Sequence, residues 1–145
     1  MKKSLFFILS LVAMVFTMSA LVSCGDDDEV TTSIRITNRV VVSYDRENVD
    51  AETEAAIKQF EAALNQRVVK LFGSEYSMKC DEKALKLDED DFHAHNKRID
   101  ADSEFTSIIK KLAELKTADG KYGAVSSVVV YYYCGDKAMG GYEIN

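Results

Sequence analysis

The residues best suited to chemistry in this chain lie in one polar stretch. His93 and His95 are the only two histidines, and they follow the acidic run 88–91. Imidazole is the commonest metal ligand, and an H-x-H pair on a strand would direct both rings to one face. A structural zinc site normally needs four ligands, and this spacing supplies only two. We therefore predict no metal site and no cofactor, with His93 and His95 as the candidate ligands if a metal were bound.

No other spacing in the chain marks a catalytic centre. The chain contains no G-x-S-x-G nucleophile motif and no glycine-rich loop that could cradle a phosphate. It has 24 acidic residues, and two of them could serve as the acid and base of a hydrolase. The separation of such a pair is a three-dimensional property, so no particular carboxylates are marked. A small envelope hydrolase is therefore the alternative function, with no assigned catalytic residues.

The run 128–133, VVVYYY, is the most unusual stretch of the chain. Side chains alternate along a strand, so Tyr131 and Tyr133 should share one face and Tyr132 should lie on the other. Both faces would be apolar, which is unexpected for a sheet with one side in water. Either the rest of the chain covers both faces, or one face is a contact surface, for which tyrosine is well suited. We predict a contact surface for a protein or glycan partner among Tyr131, Tyr132 and Tyr133.

The N-terminus carries a targeting pattern. Met1-Lys2-Lys3 precedes the uncharged run 4–25, which contains the sequence Leu21-Val22-Ser23-Cys24. This pattern resembles the lipobox of bacterial lipoproteins. The resemblance implies that residues 1–23 are a signal peptide and that Cys24 becomes the lipidated, acylated N-terminus. The alternative is an uncleaved transmembrane anchor, because 22 uncharged residues are long enough to span a bilayer.

Four acidic residues follow the cysteine almost at once. Residues 26–29 read DDDE, and like charges extend a tether, so we interpret residues 24–33 as a lipidated, solvated linker. In some Gram-negative lineages, an acidic run at this position resembles a surface-export signal. The resemblance implies an outer-membrane protein held by its lipid anchor on the cell-surface face. The periplasmic face is the alternative location.

Composition limits the remaining possibilities. The chain has 145 residues and a net charge of −6, and removal of the signal peptide with its two lysines changes that charge to −8. A chain without a basic face is a poor match for nucleic acid, which we exclude as a partner. The length suits one domain with one core, predicted to span residues 34–145.

Hydrophobic periodicity predicts the elements of this domain. Residues 34–44 are rich in β-branched side chains and indicate a strand. Asp50 is suited to cap a helix over 51–72, which Gly73 would end. Shorter strands are predicted at 76–80 and 84–87.

The second half of the domain is less uniform. Residues 88–102 are polar and ambiguous, although a helix is compatible with their apolar spacing. Ser103 is suited to cap a second amphipathic helix that runs to about residue 116. Strands are predicted at 125–134 and 138–144, joined by a turn.

The predicted order is β-α-β-(β)-α-β-β, which is typical of the α+β class. Two amphipathic helices would pack on one face of a mostly antiparallel sheet. A ferredoxin-like arrangement, a split βαβ with one added strand, fits this order. The function we expect is a lipid-anchored envelope protein that presents a small binding domain and is not an enzyme.

Two cysteines remain after lipidation of Cys24. Cys80 and Cys134 form an even number in an oxidising compartment, which favours a disulfide. In a ferredoxin-like sheet their strands would lie at opposite edges, roughly 14 Å apart. A disulfide needs Cα atoms within about 7 Å, so the bridge and this strand order exclude each other in their simplest form. The sequence leaves open whether these cysteines are bridged or free.

Overall fold

The computed structural model describes residues 31–116 and 120–145 of the chain. The predicted signal peptide, Cys24 and the acidic run lie outside these residues. The first strand begins at Thr31, so residues 31–33, predicted as linker, belong to the sheet. In chain order the elements are β1 (Thr31–Tyr44), α1 (Ala51–Phe72), β2 (Tyr76–Asp81), β3 (Lys86–Leu87), α2 (Glu89–Asp100), α3 (Ser103–Ala113), β4 (Val125–Cys134) and β5 (Lys137–Glu143).

The five strands form one antiparallel sheet in the order β3-β2-β1-β4-β5, which confirms the α+β class. The long strand β1 is central: its first half, Thr31 to Ile36, pairs with β2, and its second half, Thr37 to Tyr44, pairs with β4. A ferredoxin-like split βαβ is not confirmed. That arrangement needs β1 and β2 parallel with another strand between them, whereas here they are adjacent and antiparallel.

Helix α1 covers the part of the β1 edge that β2 leaves open. The backbone N–H of Val40 donates to Oδ1 of Asn65 over 2.8 Å, and Nδ2 of Asn65 donates to the Val40 carbonyl over 3.0 Å. One helical turn earlier, Glu61 accepts a hydrogen bond from the N–H of Val42 over 2.8 Å. Unpaired backbone N–H and C=O groups at a sheet edge can pair with a strand of another chain. The side chains of Asn65 and Glu61 bind these groups on β1 in place of a neighbouring strand.

The ends of α1 agree with the signals in its sequence. Asp50 accepts a hydrogen bond from the N–H of Thr53 over 2.7 Å, as an N-cap does. Gly73 follows the helix at a φ of 91°, which favours glycine over any other residue. The buried face of the helix carries Ile57, Leu64 and Val68 into the core.

Three helices, rather than the predicted two, lie within the described residues. The polar segment 88–102 contains α2, whose N-terminus Asp88 caps by accepting from the N–H of Asp91. The cap of α3 is Asp102 and not Ser103, since Asp102 Oδ2 accepts from the N–H of Phe105 over 2.8 Å. None of the helices in 31–116 and 120–145 has the length and apolar character needed to span a bilayer.

The sheet is strongly curved, and its edge strands β3 and β5 approach each other. The side chains of its concave face are buried against the helices in one hydrophobic core. Its convex face carries the alternate residues of β1 and β4, which are exposed or half-buried. The fold thus leaves one face of the sheet outside the helical layer.

Candidate functional site

The convex face of the sheet carries a cluster that we call the tyrosine face. Its residues lie on the two central strands, and the rings of Tyr131 and Tyr133 are half-buried with centroids 6.3 Å apart. Alternation along β4 sends both rings away from the helices. The tyrosine face consists of Arg35, Arg39, Val41, Val129, Tyr131 and Tyr133.

Two arginines give this face its charge. In the β1–β4 register Arg39 lies directly opposite Tyr131, and Arg35 lies two residues beyond Thr37, the partner of Tyr133. Both arginines are exposed, and within 31–116 and 120–145 neither makes an ion pair or a side-chain hydrogen bond. Glu143 at the margin of the face is bound by Lys121 over 3.3 Å. A locally cationic surface therefore lies on a chain with a net charge of −6.

Arg35 and Arg39 were not predicted from the sequence to be functional residues. The signal was present, because both lie at odd positions of β1, in phase with the polar side of the strand. Strand pairing was needed to show that these positions adjoin Tyr131 and Tyr133. The juxtaposition is a property of the register, which the sequence of one strand does not contain.

Tyr132 is not part of a contact surface, so this part of the prediction is wrong. Its side chain is 0% exposed, and its hydroxyl donates to Oδ1 of Asn96 on α2 over 2.5 Å. The ring packs against Phe92 with centroids 4.9 Å apart. Tyr132 is a core residue because β4 alternation turns it toward the helices.

A second polar group lies inside the core. The hydroxyl of Tyr76 donates to Oδ1 of Asn38, and Nδ2 of Asn38 is buried without a hydrogen-bond partner among the described residues. Burial raises the pKa of Tyr76 far above its usual range, and it does the same to the pKa of Tyr132. Both phenols are therefore protonated at neutral pH and act as neutral hydrogen-bond donors.

The two histidines do not form a site. They lie on α2 and not on a strand, so residues two apart point to different sides of the helix. His93 is exposed, whereas His95 stacks on Tyr76 with ring centroids 4.8 Å apart, and its Nδ1–H donates to the Asp91 carbonyl over 2.8 Å. No cluster of three side chains able to hold a metal occurs in the described part of the chain.

Cys80 and Cys134 are free thiols in this structure. Cys80 is buried and Cys134 is half-buried. Burial is the main cause that raises the pKa of the Cys80 thiol, and a thiol with a raised pKa is a poor nucleophile. Of the two possibilities that the sequence left open, a disulfide or two free thiols, this structure has two free thiols.

The carboxyl groups give the hydrolase alternative no support. Among the described residues, the carboxyl groups with a displaced pKa are those of Asp50, Glu54 and Asp102, and in each case hydrogen bonds to the charged form lower the pKa. A general acid needs a raised pKa. In the pocket between α3 and the C-terminus, burial followed by the bond to Asp100 raises the pKa of Tyr142 to about 12, so this phenol is protonated at neutral pH.

Comparison of the chain with known protein families, with curated proteins and with solved structures gave no match. The function must therefore be argued from the residues themselves.

Proposed function

We propose that this protein is a lipid-anchored binding protein of the bacterial outer membrane whose tyrosine face takes an acidic glycan. One observation carries the proposal: Tyr131 and Tyr133 stand beside Arg35 and Arg39 on the sheet face opposite the helices. Aromatic rings offer broad apolar contact with a polar edge, which suits a sugar ring. A guanidinium binds a carboxylate or sulfate through two parallel hydrogen bonds.

The charge distribution supports an anionic ligand over a neutral one. The chain is acidic overall, so its long-range field would repel an anion. Arg35 and Arg39, which are exposed and have no acidic partner among the described residues, offset this repulsion locally, because their guanidinium groups are available to bind an anion at short range. A contact at these arginines would be made by short-range hydrogen bonds and would weaken as salt rises.

The anchor is proposed from the lipobox resemblance at Cys24. Lipidation there would hold the domain durably, because several acyl chains together bind a bilayer far more strongly than one. The Cys24→Ala variant should accumulate as an uncleaved precursor that fails to enter a detergent phase. Normal processing of this variant would contradict the anchor. Protease treatment of intact cells would distinguish the proposed surface location from the periplasmic one.

The binding proposal is tested on a glycan array. Uronic-acid, sialylated and sulfated oligosaccharides should retain the protein, and neutral oligosaccharides of the same length should not. Equal retention by neutral sugars would leave the arginines without a role. Absence of binding to every acidic glycan would reject an acidic glycan as the ligand.

A further inference from the structure

Leu85 combines two properties that are each unfavourable for a leucine. Its side chain is 59% exposed, the most of any large hydrophobic residue in the described ranges, where Val69 follows at 46%. Its backbone has a φ of 49°, and it is the one residue other than glycine with positive φ in those ranges. Glycine or asparagine would fit this conformation and this exposure better. An exposed, strained leucine of this kind suggests a contact outside the folded domain.

The turn that carries Leu85 is held in place by its own hydrogen bonds. Oδ1 of Asp81 accepts from the N–H of Lys83 over 2.8 Å and from the N–H of Ala84 over 3.2 Å. Residues 82–86 are all exposed. Leu85 therefore lies on an exposed turn that is ordered by hydrogen bonds to Asp81, with Lys83 and Lys86 on either side of it.

This turn lies at the end of the domain where the chain would leave for the membrane. Thr31, the first described residue, pairs directly with Asp81, the last residue of β2 before the turn. Six residues, 25–30, lie between Cys24 and Thr31, and the seven steps from one Cα atom to the other span at most about 25 Å when fully extended. A lipid on Cys24 would thus keep Thr31 within that distance of the bilayer, and the Leu85 turn directly follows Asp81, the strand partner of Thr31.

We propose that Leu85 inserts into the surface of the bilayer that holds the lipid anchor, so that the domain rests on its β2–β3 turn. This inference depends on the lipidation of Cys24 proposed above. One leucine binds a membrane too weakly alone, but a short tether makes the contact intramolecular and raises its effective concentration. Lys83 can extend its ammonium group to a lipid phosphate from the same turn.

The chain contains no tryptophan, which permits a single-residue probe. The full-length lipidated protein would be prepared as Leu85→Trp and, separately, as Val69→Trp. Val69 is the matched control, since within the described ranges it is the other exposed large hydrophobic residue, and it lies on α1, one turn after Asn65, rather than on the Leu85 turn. Each variant is incorporated into zwitterionic phosphatidylcholine vesicles, with and without brominated acyl chains. Neutral lipid avoids repulsion of the acidic run.

Insertion predicts a blue-shifted Leu85→Trp emission that brominated lipid reduces by at least about half, because interfacial side chains enter ~5–10 Å below the headgroups. The Val69→Trp emission should be unchanged. Vesicle-bound protein with equal quenching at both positions, or none at position 85, would overturn the inference and leave the anchor intact. Protein that does not partition into vesicles at all would overturn both.

Discussion

The ring of Tyr131 lies against Gly141 on the neighbouring strand β5. The two residues are paired in the β4–β5 register, and a methyl group added at Gly141 would lie 3.2 Å from ring atoms Cδ1 and Cε1. It would also lie 3.4 Å from Cγ1 of Val129. Because Gly141 has no side chain, the Tyr131 ring can pack directly over it on the tyrosine face.

Gly141→Ala should move this ring while the core stays as it is. The displaced ring is half-buried and can rotate, so we expect the free energy of unfolding to change by less than about 1 kcal/mol. Affinity for an acidic glycan should fall by about three- to tenfold, equivalent to ~0.7–1.4 kcal/mol. The matched control is Gly140→Ala, whose methyl would meet Phe92 of α2 at an ordinary 3.5 Å on the other face. Equal binding by both variants would show that the position of Tyr131 does not matter.

Tyr132→Phe should destabilise the domain, and Tyr133→Phe should not. The first change removes the hydroxyl that donates to Asn96 and leaves the buried amide oxygen without this donor. Such a loss costs about 1–3 kcal/mol. Tyr133 has no hydrogen bond of its hydroxyl to another described residue, so its phenylalanine variant is the control. Urea denaturation of both variants measures the difference, and similar midpoints would contradict a core role for Tyr132.

The sequence predicted the parts of the fold that depend on local signals. Asp50 and Gly73 mark the ends of α1 because capping and positive φ are properties of single residues. Alternation along 128–133 is also a local pattern, and it correctly places Tyr132 on the sheet face opposite Tyr131 and Tyr133. The segment 88–102 was ambiguous because α2 buries only Asn96 and Ile99, too few residues for a clear stripe.

The parts that were missed depend on contacts between distant segments. Strand β2 pairs directly with the first half of β1, and Glu61 and Asn65 of α1 cover the same edge of β1 along its second half. No local sequence pattern reveals these contacts. The same applies to the site. Tyr131 was identified within its own strand, whereas its neighbour Arg39 became visible only through the β1–β4 register.

The stability lent by Asp102 should depend on pH. Nε and Nη2 of Arg67 donate to the two oxygens of Asp102 over 2.7 and 2.6 Å, and this hydrogen-bonded pair is the main cause that lowers the pKa of the carboxyl. A lowered pKa means that the stabilisation is present above the unfolded pKa of about 3.9 and is lost as the pH falls through the folded value. Asp102→Asn keeps an acceptor for the cap of α3 but loses the charge.

We therefore expect Asp102→Asn to lower the free energy of unfolding by about 1–2 kcal/mol at pH 7, allowing for solvent screening. The difference from the unsubstituted protein should begin to shrink as the pH falls below about 3.9 and should disappear only as the pH falls through the lowered folded pKa of Asp102. Asp50→Asn is the control for the arginine pair, because Asp50 caps α1 without an arginine partner, and its smaller effect should decline over the same pH range since the pKa of Asp50 is also lowered. Chemical denaturation across this pH range measures both, and a difference independent of pH would contradict the role of the charge.

The two thiols should differ in reactivity. Cys80 is buried and burial raises its pKa, so at pH 8 little thiolate is available, whereas Cys134 is half-buried. A maleimide should modify Cys134 first in the folded, unreduced protein, and Cys80 only after denaturation. Peptide mass spectrometry would assign the order. A protein in which neither thiol reacts until a reductant is added would instead contain the bridge.

The central claim is that Arg35 and Arg39 recognise an anion together with the tyrosines beside them. The most direct measurement is the affinity for a uronic-acid oligosaccharide of two variants that lose the same charge. One is the double variant Arg35→Gln, Arg39→Gln on the tyrosine face. The other is Lys110→Gln, Lys111→Gln, two exposed lysines of α3 in the helical layer.

The double arginine variant should bind the oligosaccharide at least about tenfold more weakly, because it loses bidentate, charge-assisted hydrogen bonds. The lysine pair should change the affinity by less than about twofold, since only distant, screened charges are removed. Equal losses in the two variants would show that overall charge, and not the tyrosine face, determines binding. Undiminished binding by the arginine variant would contradict the proposed site.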